Sequence, residues 1–407
     1  MNEYIKKVLI QGNYYDTYLY KKVLILIHAD KTISSYNWEK MVDSFNEKET
    51  DRLAYECAFK NSKFFYNPDY LSFYKDDEFR SLVVEKIKRI KDIQLSNLYP
   101  NSKYLISSKY KKIDCLPTDI VVYKNKFYFA CADGVFYKKI SSLSYYSPHA
   151  LSPSTYYLTD KKAVNLNVSN GGYLYLSTLD DGLWVYLLNR DFEYSDILVD
   201  KKTNKNLKKI SKEHSSFVNS NYSSIFIGSH YSESLFYEIY YDKKKRKSKP
   251  PFNIKQLFTY KGKSFFITGQ DKMYQFTNSG LYMVQFIQSK IISGEEFSSP
   301  KLVIERQFDI DLIVSASVEL FGIVIEFKDK LEILLSDGKI ETIEFYESLI
   351  NWRTFPRSHN YTNQLHLVFS NHIEIISINH DFLINQIQKR IGIRYADFDY
   401  YRDKIDY

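Results

Sequence analysis

The sequence predicts a mainly β chain assembled from repeated hairpin units, on three observations. Tyr and Phe number 38 and 28 in 407 residues, and such side chains favour pleated, half-buried positions. Short runs of β-branched, aromatic and aliphatic residues flank Asp-Gly and related turn sequences along most of the chain. Those turns recur at a roughly regular spacing. Abundant Tyr, Lys, Asn and Ile are also what AT-rich coding is expected to produce, so the Tyr count alone specifies no sugar or nucleobase platform.

The clearest unit is Tyr173 to Leu188, where two strand-length runs flank Asp180-Asp181-Gly182. Asp-Gly supplies the positive-φ backbone of a tight hairpin. Neither run alternates cleanly with polar residues, so both faces are expected to be covered, as in an inner strand pair between neighbouring sheets.

At the start of the chain, Val8-Leu9-Ile10, Tyr18-Leu19-Tyr20 and Val23 to Ile27 lead to a turn near Ala29-Asp30-Lys31 and a returning run Thr32 to Trp38. Residues 42–98 break this pattern. Ser44 with Glu47 fits a capping box, and Leu53, Cys57 and Phe64 fall near one helical face. After Asn67-Pro68-Asp69, the positions Val83, Ile87, Ile90 and Gln94 follow a 3/4 spacing. An amphipathic helical hairpin inserted into the first β unit is expected, its stripe Val83, Ile87 and Ile90 either docking on the scaffold or meeting a partner.

From residue 117 the hairpins return, with turns near 133, 181, 232, 271, 329–337 and 371. Subtracting the helical segment, the spacing is close to the 40–50 residues of a four-stranded propeller blade. The predicted fold is therefore an about seven-bladed β-propeller, residues 1–41 and 99–381, with an α-helical hairpin insertion in the first blade, residues 42–98, and a tail, 382–407. Val8-Leu9-Ile10 is placed to complete the last blade. Two β-sandwich domains would produce a similar strand pattern and stand as the alternative.

Tyr175 to Tyr186, Tyr-Leu-Ser-Thr-Leu-Asp-Asp-Gly-Leu-Trp-Val-Tyr, and Tyr128 to Tyr137, Tyr-Phe-Ala-Cys-Ala-Asp-Gly-Val-Phe-Tyr, carry a resemblance. They resemble the strand–Asp-Gly–Leu/Val–aromatic repeats of bacterial β-propellers, including the sensor-type propellers of two-component regulators. The resemblance covers two repeats, without the Trp-Asp and Gly-His signatures of the WD class, and implies a fold rather than an activity.

Net charge is +7, but the excess is local. Lys201, Lys202, Lys205, Lys208 and Lys209 form one cluster; Lys243, Lys244, Lys245, Arg246, Lys247 and Lys249 form another. Without these eleven residues, 45 basic residues face 49 acidic ones, so electrostatic attraction to phosphates is expected to reside in two loops. The second cluster, between Tyr240-Tyr241 and Pro250-Pro251, reads as a loop joining two strand units.

Three cysteines, Cys57, Cys115 and Cys131, lack CxxC spacing and argue against a disulfide framework. With no secretory h-region at the N-terminus and no window of about 20 apolar residues, a soluble, cytoplasmic protein is expected. No GxxxxGK[ST], GxGxxG or GxSxG occurs, so no P-loop, Rossmann site or hydrolase nucleophile is indicated. His372-Ile373-Glu374 lacks the Pro-Cys-x-x-Cys partner of a zinc deaminase. No cofactor, metal site or catalytic residue is predicted. The leading expectation is a non-catalytic scaffold, a propeller subunit of a multiprotein assembly. The alternative is a nucleic-acid-associated subunit using the Lys-rich loops, and a third class is an enzyme with its site in the propeller channel.

Overall fold

The computed structural model describes residues 3–45, 51–62, 76–98, 102–106, 111–141, 150–169, 172–188, 207–211, 215, 217–220, 224–228, 235–242, 245–248, 252–269, 272–285, 297–356, 358, 360–380 and 391–392. They form seven sheets in two compact units; six are built on antiparallel strands that follow one another along the chain, and the other adds the N-terminal strand to such a set. The first unit comprises Met1–Leu116, Ile140–Pro153 and Leu312–Tyr407; the second, Pro117–Lys139 and Ser154–Asp311.

In the first unit, one sheet runs Tyr14–Tyr20, Val23–His28, Thr32–Asn37 and Lys111–Lys112. Another runs Ile313–Glu319, Gly322–Phe327, Lys330–Leu335 and Ile340–Glu344. The third, which is the seventh sheet of the chain in sequence order, runs Leu349–Thr354, Gln364–Phe369, His372–Ile378 and then the N-terminal strand Ile5–Gln11. That last pairing is antiparallel in unbroken register, from Ile5 opposite Ile378 to Gln11 opposite His372. Ile5, Val324, Ile333, Leu365, Leu367 and Ile376 belong to one buried apolar cluster spanning two of these sheets. Both faces of such strands are covered, which is why their sequences are runs rather than alternations.

In the second unit, the sheets run Asp119–Tyr123, Lys126–Cys131, Gly134–Ser141 and Tyr156–Thr159; Asn165–Ser169, Tyr173–Ser177, Leu183–Leu187 and Leu207–Ser211; Phe217–Ser220, Ser224–Gly228, Leu235–Asp242 and Lys245–Ser248; and Phe265–Gly269, Lys272–Phe276, Leu281–Gln285 and Lys301–Ile304. The central hairpin pairs Tyr173 with Leu187 through Ser177 with Leu183. Gly182 adopts φ +78° there. At the equivalent turn Gly134 adopts φ +132°, and a Cβ would lie 2.2 Å from the Thr159 carbonyl oxygen, so the neighbouring strand also demands glycine.

Four-stranded sequential meanders are the blade unit of a β-propeller, and they replace the sandwich alternative, whose Greek-key sheets interleave distant strands. Among the described residues, three helices lie between the third and fourth strands of the first sheet: α1 (Trp38–Asp43), α2 (Arg52–Phe59) and α3 (Asp77–Arg89). The helical segment therefore begins earlier than residue 42, with Asn37 as its N-cap, accepting a hydrogen bond from the Lys40 amide. Ser44, expected to start a helix, instead ends one: its amide and hydroxyl both donate to Met41 O. Gln94 is not helical but sits in a strand, Ile93–Leu95, that pairs in parallel with Ile5–Gln11. Phe64, Asn67, Pro68 and Asp69 lie outside the described residues, as does the tail apart from Ile391 and Gly392. The expectation against a disulfide framework is corrected: Cys115 and Cys131 are disulfide-bonded, and Cys57 is buried.

Candidate interaction site

The helical segment is the chief departure from the sheet repeat, and its anchoring begins with an unmet need of α2. The last carbonyls of a helix have no partner inside it. Here the seventh sheet supplies them. Asn363 Nδ2 and Ser377 Oγ donate to Ala58 O at 3.1 and 2.5 Å, and Gln364 Nε2 donates to Phe59 O at 2.8 Å. Trp38 Nε1 adds a second bond to Phe59 O at 2.7 Å. All four donors belong to buried residues. Trp38 packs edge-on against Phe45 and Phe59, so apolar contact and carbonyl satisfaction fix α1 and α2 together.

Helix α3 is held at both ends. Asp76 Oδ1 caps it by accepting from the Phe79 amide at 2.9 Å. At its C-terminus the Lys6 ammonium donates to Lys88 O at 2.9 Å, where the helix dipole favours a cation. Burial holds the Lys6 pKa below the usual lysine range, partly opposed by Asp92 and Glu3. Asp92 in turn accepts from the Lys7 amide.

Val83, Ile87 and Ile90, expected as a partner-contact stripe, are 0, 1 and 3% exposed. They are core residues, which corrects that assignment: the stripe has no surface with which to meet a partner. The exposed face of α3 is instead Glu78, Leu82, Glu85 and Arg89, with Leu82 52% exposed. Leu82 lies about 100° from Val83 around the helix, so the docking spacing passes over it.

The first strands of the three first-unit sheets are joined by buried and half-buried polar side chains. Arg353 donates to both carboxylate oxygens of Asp16. Ser317 Oγ and Thr354 Oγ1 each donate to Glu319 Oε1 at 2.6 Å, while Glu319 Oε2 has no hydrogen-bond partner. Burial raises the Glu319 carboxyl to about 7, against the opposing effect of those hydroxyls. His366 lies between Thr17 Oγ1 at 3.3 Å and Gln364 Oε1 at 3.2 Å. Because Gln364 commits its amide nitrogen to Phe59 O, its oxygen must accept from His366 Nε2, leaving Nδ1 to accept from Thr17. Burial, aided by Arg353, lowers the His366 pKa to about 3. None of these groups was singled out from the sequence. The Arg–Asp pair is separated by 337 residues, and no local spacing signals it.

His372 and Glu374 do come together, Nε2 to Oε1 at 3.8 Å, but Glu374 accepts from Lys7 Nζ at 2.9 Å. Among the described residues no three His, Cys, Asp or Glu side chains form a metal-binding group. No described helix is long and apolar enough to cross a membrane.

Of the first basic cluster, Lys201, Lys202 and Lys205 lie outside the described residues. Lys208 and Lys209 are in strand Leu207–Ser211, and Lys209 Nζ pairs with Asp181 at 2.7 Å. Lys161 Nζ also pairs with Asp181, at 3.0 Å, and stands 3.9 Å from the Trp184 ring centroid. Bonds from Lys209 and Lys161 hold the Asp181 carboxyl below the usual range against the effect of burial, so this cation pair serves the Asp-Gly turn. In the second cluster Lys243, Lys244 and Lys249 lie outside the described residues, whereas Lys245, Arg246 and Lys247 form a strand. The loop expected there is corrected: cross-strand pairing with Ile239 to Asp242 makes it one arm of a hairpin.

No known family matches the sequence, and no curated protein matches it. Solved structures align with it over more than nine-tenths of both chains. The N-terminal domain of Nup159 aligns at 7% identity and a TM-score of 0.49, over 92% of this chain and 96% of that one. The Pan2 WD40 domain of Neurospora crassa aligns at 6% and 0.46, over 93% and 97%. A structure of BBS1N in complex with ARL6DN aligns at 6% and 0.44, over 91% and 93%. By its own sequential four-stranded blades, the chain is a mainly β protein of the β-propeller class.

Proposed function

We propose that the chain is a non-catalytic protein-interaction scaffold. In this reading the seven sheets are the blades of a closed propeller, with strand Ile5–Gln11 completing the last blade. The helices are an insertion in the first blade that offers the outer face of α3 to a protein partner. The observation that supports it is the anchoring of the helical segment: α2 is tied through Ala58 O and Phe59 O, and α3 through Lys88 O, while Leu82 stays outside the core. A rigid mount carrying an exposed apolar residue inside a charged rim is the usual anatomy of a contact patch.

The test is purification of the full-length protein from its source cells, with particle mass and composition measured for the unaltered chain and for Leu82→Asp. A stoichiometric protein partner that is lost in the variant, at unchanged melting temperature, is the expected result. A bare monomer from the unaltered chain, or a partner held equally by Leu82→Asp, overturns the assignment.

A further inference from the structure

Strand Ile340–Glu344 is the outer edge of its sheet. It pairs with Lys330–Leu335 on one side, and among the described residues no strand pairs with the other. The ladder fixes which backbone groups face outward. Leu335 N donates to Lys339 O at 2.7 Å and Phe345 N donates to Asp329 O at 2.9 Å, so Lys339, Glu341, Ile343 and Phe345 are the positions that turn towards the neighbouring strand. Ile340, Thr342 and Glu344 alternate with them and aim both N–H and C=O away from the sheet. Their side chains are exposed as well, Ile340 by 38%.

An open edge invites pairing with other chains, and other outer strands of this protein carry devices against it. Leu207–Ser211, Lys301–Ile304 and Tyr156–Thr159 each pair across a register shift, and the first two contain lysine. Lys111–Lys112 and Ala150–Leu151 are only two residues long. Ile340–Glu344 has none of these devices: its five residues pair in unbroken register, without lysine or proline. Its charge is also of one sign. Glu341, Glu344 and Glu347 are acidic, and no residue from 340 to 352 is basic. Lys330, opposite Glu344 in the ladder, directs its ammonium to Glu332 at 3.0 Å.

We infer that Ile340–Glu344 is a docking edge that takes an extended, basic segment of a partner protein as an added strand. The outward N–H and C=O groups of Ile340, Thr342 and Glu344 supply the main-chain bonds, and the carboxylates select cationic side chains on the incoming segment. A second copy of this chain fits less well, because it would bring the same three carboxylates against these. The edge is separate from the exposed face of α3, and either contact stands without the other.

The experiment titrates the full-length protein with a short labelled peptide of alternating lysine and valine, and follows amide exchange at Ile340, Thr342 and Glu344. Saturable binding that slows exchange at these three amides is expected. Thr342→Pro removes one outward N–H and no bond of the existing ladder; it and Glu344→Lys should each weaken binding about tenfold or more. Melting temperatures report folding, and Glu344→Lys, a change at an exposed position, carries the test if Thr342→Pro unfolds. Two control peptides are expected not to bind: one of alternating glutamate and valine, and the lysine peptide with every backbone nitrogen methylated, which keeps the charge and donates no main-chain bond. No binding by the unaltered chain, unchanged binding by the folded variants, or protection confined to other amides overturns the inference. Equal binding of the methylated peptide overturns it in favour of charge attraction alone. A dimer of the unaltered chain that Thr342→Pro disperses overturns it in favour of a second copy. No α3 partner enters the titration, so failure here is distinct from failure of the α3 contact.

Discussion

Arg353 grips Asp16 with a two-pronged bond, Nε to Oδ1 at 2.8 Å and Nη2 to Oδ2 at 2.7 Å. The pair joins the first strand of the seventh sheet to the first strand of the first sheet. The Asp16 side chain is 1% exposed and that of Arg353 12%, so the pair is largely shielded from water.

Breaking such a pair from one side strands a charge. Arg353→Ala is expected to destabilise the protein by about 3–5 kcal/mol, whereas the apolar double variant Asp16→Leu/Arg353→Met should lose far less than the sum of its parts. Denaturant midpoints for the two single variants and the double variant measure this. Simple additivity would show that the two side chains act separately.

Glu319 introduces a dependence on pH opposite in sign to that of an ion-paired carboxylate whose folded-state value is lowered. Its folded-state value of about 7 lies above the ordinary 4.5, so the folded chain holds the proton more tightly than the unfolded chain. Stability from this group is full below about pH 4.5 and is lost as pH rises through about 7. Glu319→Gln keeps the neutral shape and does not ionise. It should be near neutral in effect at pH 4.5 and stabilising by up to about 3 kcal/mol at pH 8, judged by chemical denaturation. No pH dependence in the difference would show that the carboxyl is solvated.

His366 works in the acid direction. Its value of about 3 is below the ordinary 6.5, so the unfolded chain takes up the proton first as pH falls. The associated stability is full above about pH 6.5 and is lost progressively towards pH 3. At pH 5 the imidazole should still be neutral with its proton on Nε2, as the Gln364 acceptor requires, which nitrogen chemical shifts read directly. An imidazolium signal at that pH would refute the buried placement.

Much of the sheet architecture was legible because Asp-Gly and similar turns punctuate it. Asp133-Gly134, Asp181-Gly182 and Asp337-Gly338 sit where the strands reverse, and the N-terminal run Val8-Leu9-Ile10 lies in the seventh sheet. Helix boundaries were less legible: Asn37, two residues before Glu39, is the cap that tertiary structure selected over Ser44. Helical spacing found Val83 and Ile87 but could not distinguish a stripe facing the core from one facing a partner. The basic run read as a loop because charge dominates its composition, whereas cross-strand pairing with Ile239 to Asp242 decides its conformation. The buried Asp16–Arg353 and His366–Gln364 contacts arise from sheet packing, for which one sequence carries no local sign.

The N-terminal strand supplies the remaining test. Ile5–Gln11 is paired along one edge with His372–Ile378 and along the other with Ile93–Leu95, so it is an inner strand contributed by the opposite end of the chain. Val8 and Ile10 are fully buried, and Ile5 joins the cluster containing Val324 and Ile376. Removing residues 1–12 would expose the edge of His372–Ile378, free Ile93–Leu95 and take away the Lys6 contact that ends α3. A loss of cooperative unfolding, or a fall of many degrees in melting temperature, is expected on this deletion. The milder Val8→Asp places an unpartnered carboxylate in the same core and should destabilise by several kcal/mol. Adding a synthetic peptide of residues 1–12 to the truncated chain should recover part of the lost stability, because the vacated edge offers the same hydrogen bonds. Deletion with unchanged thermal stability would show that the pairing contributes nothing to holding the last sheet together.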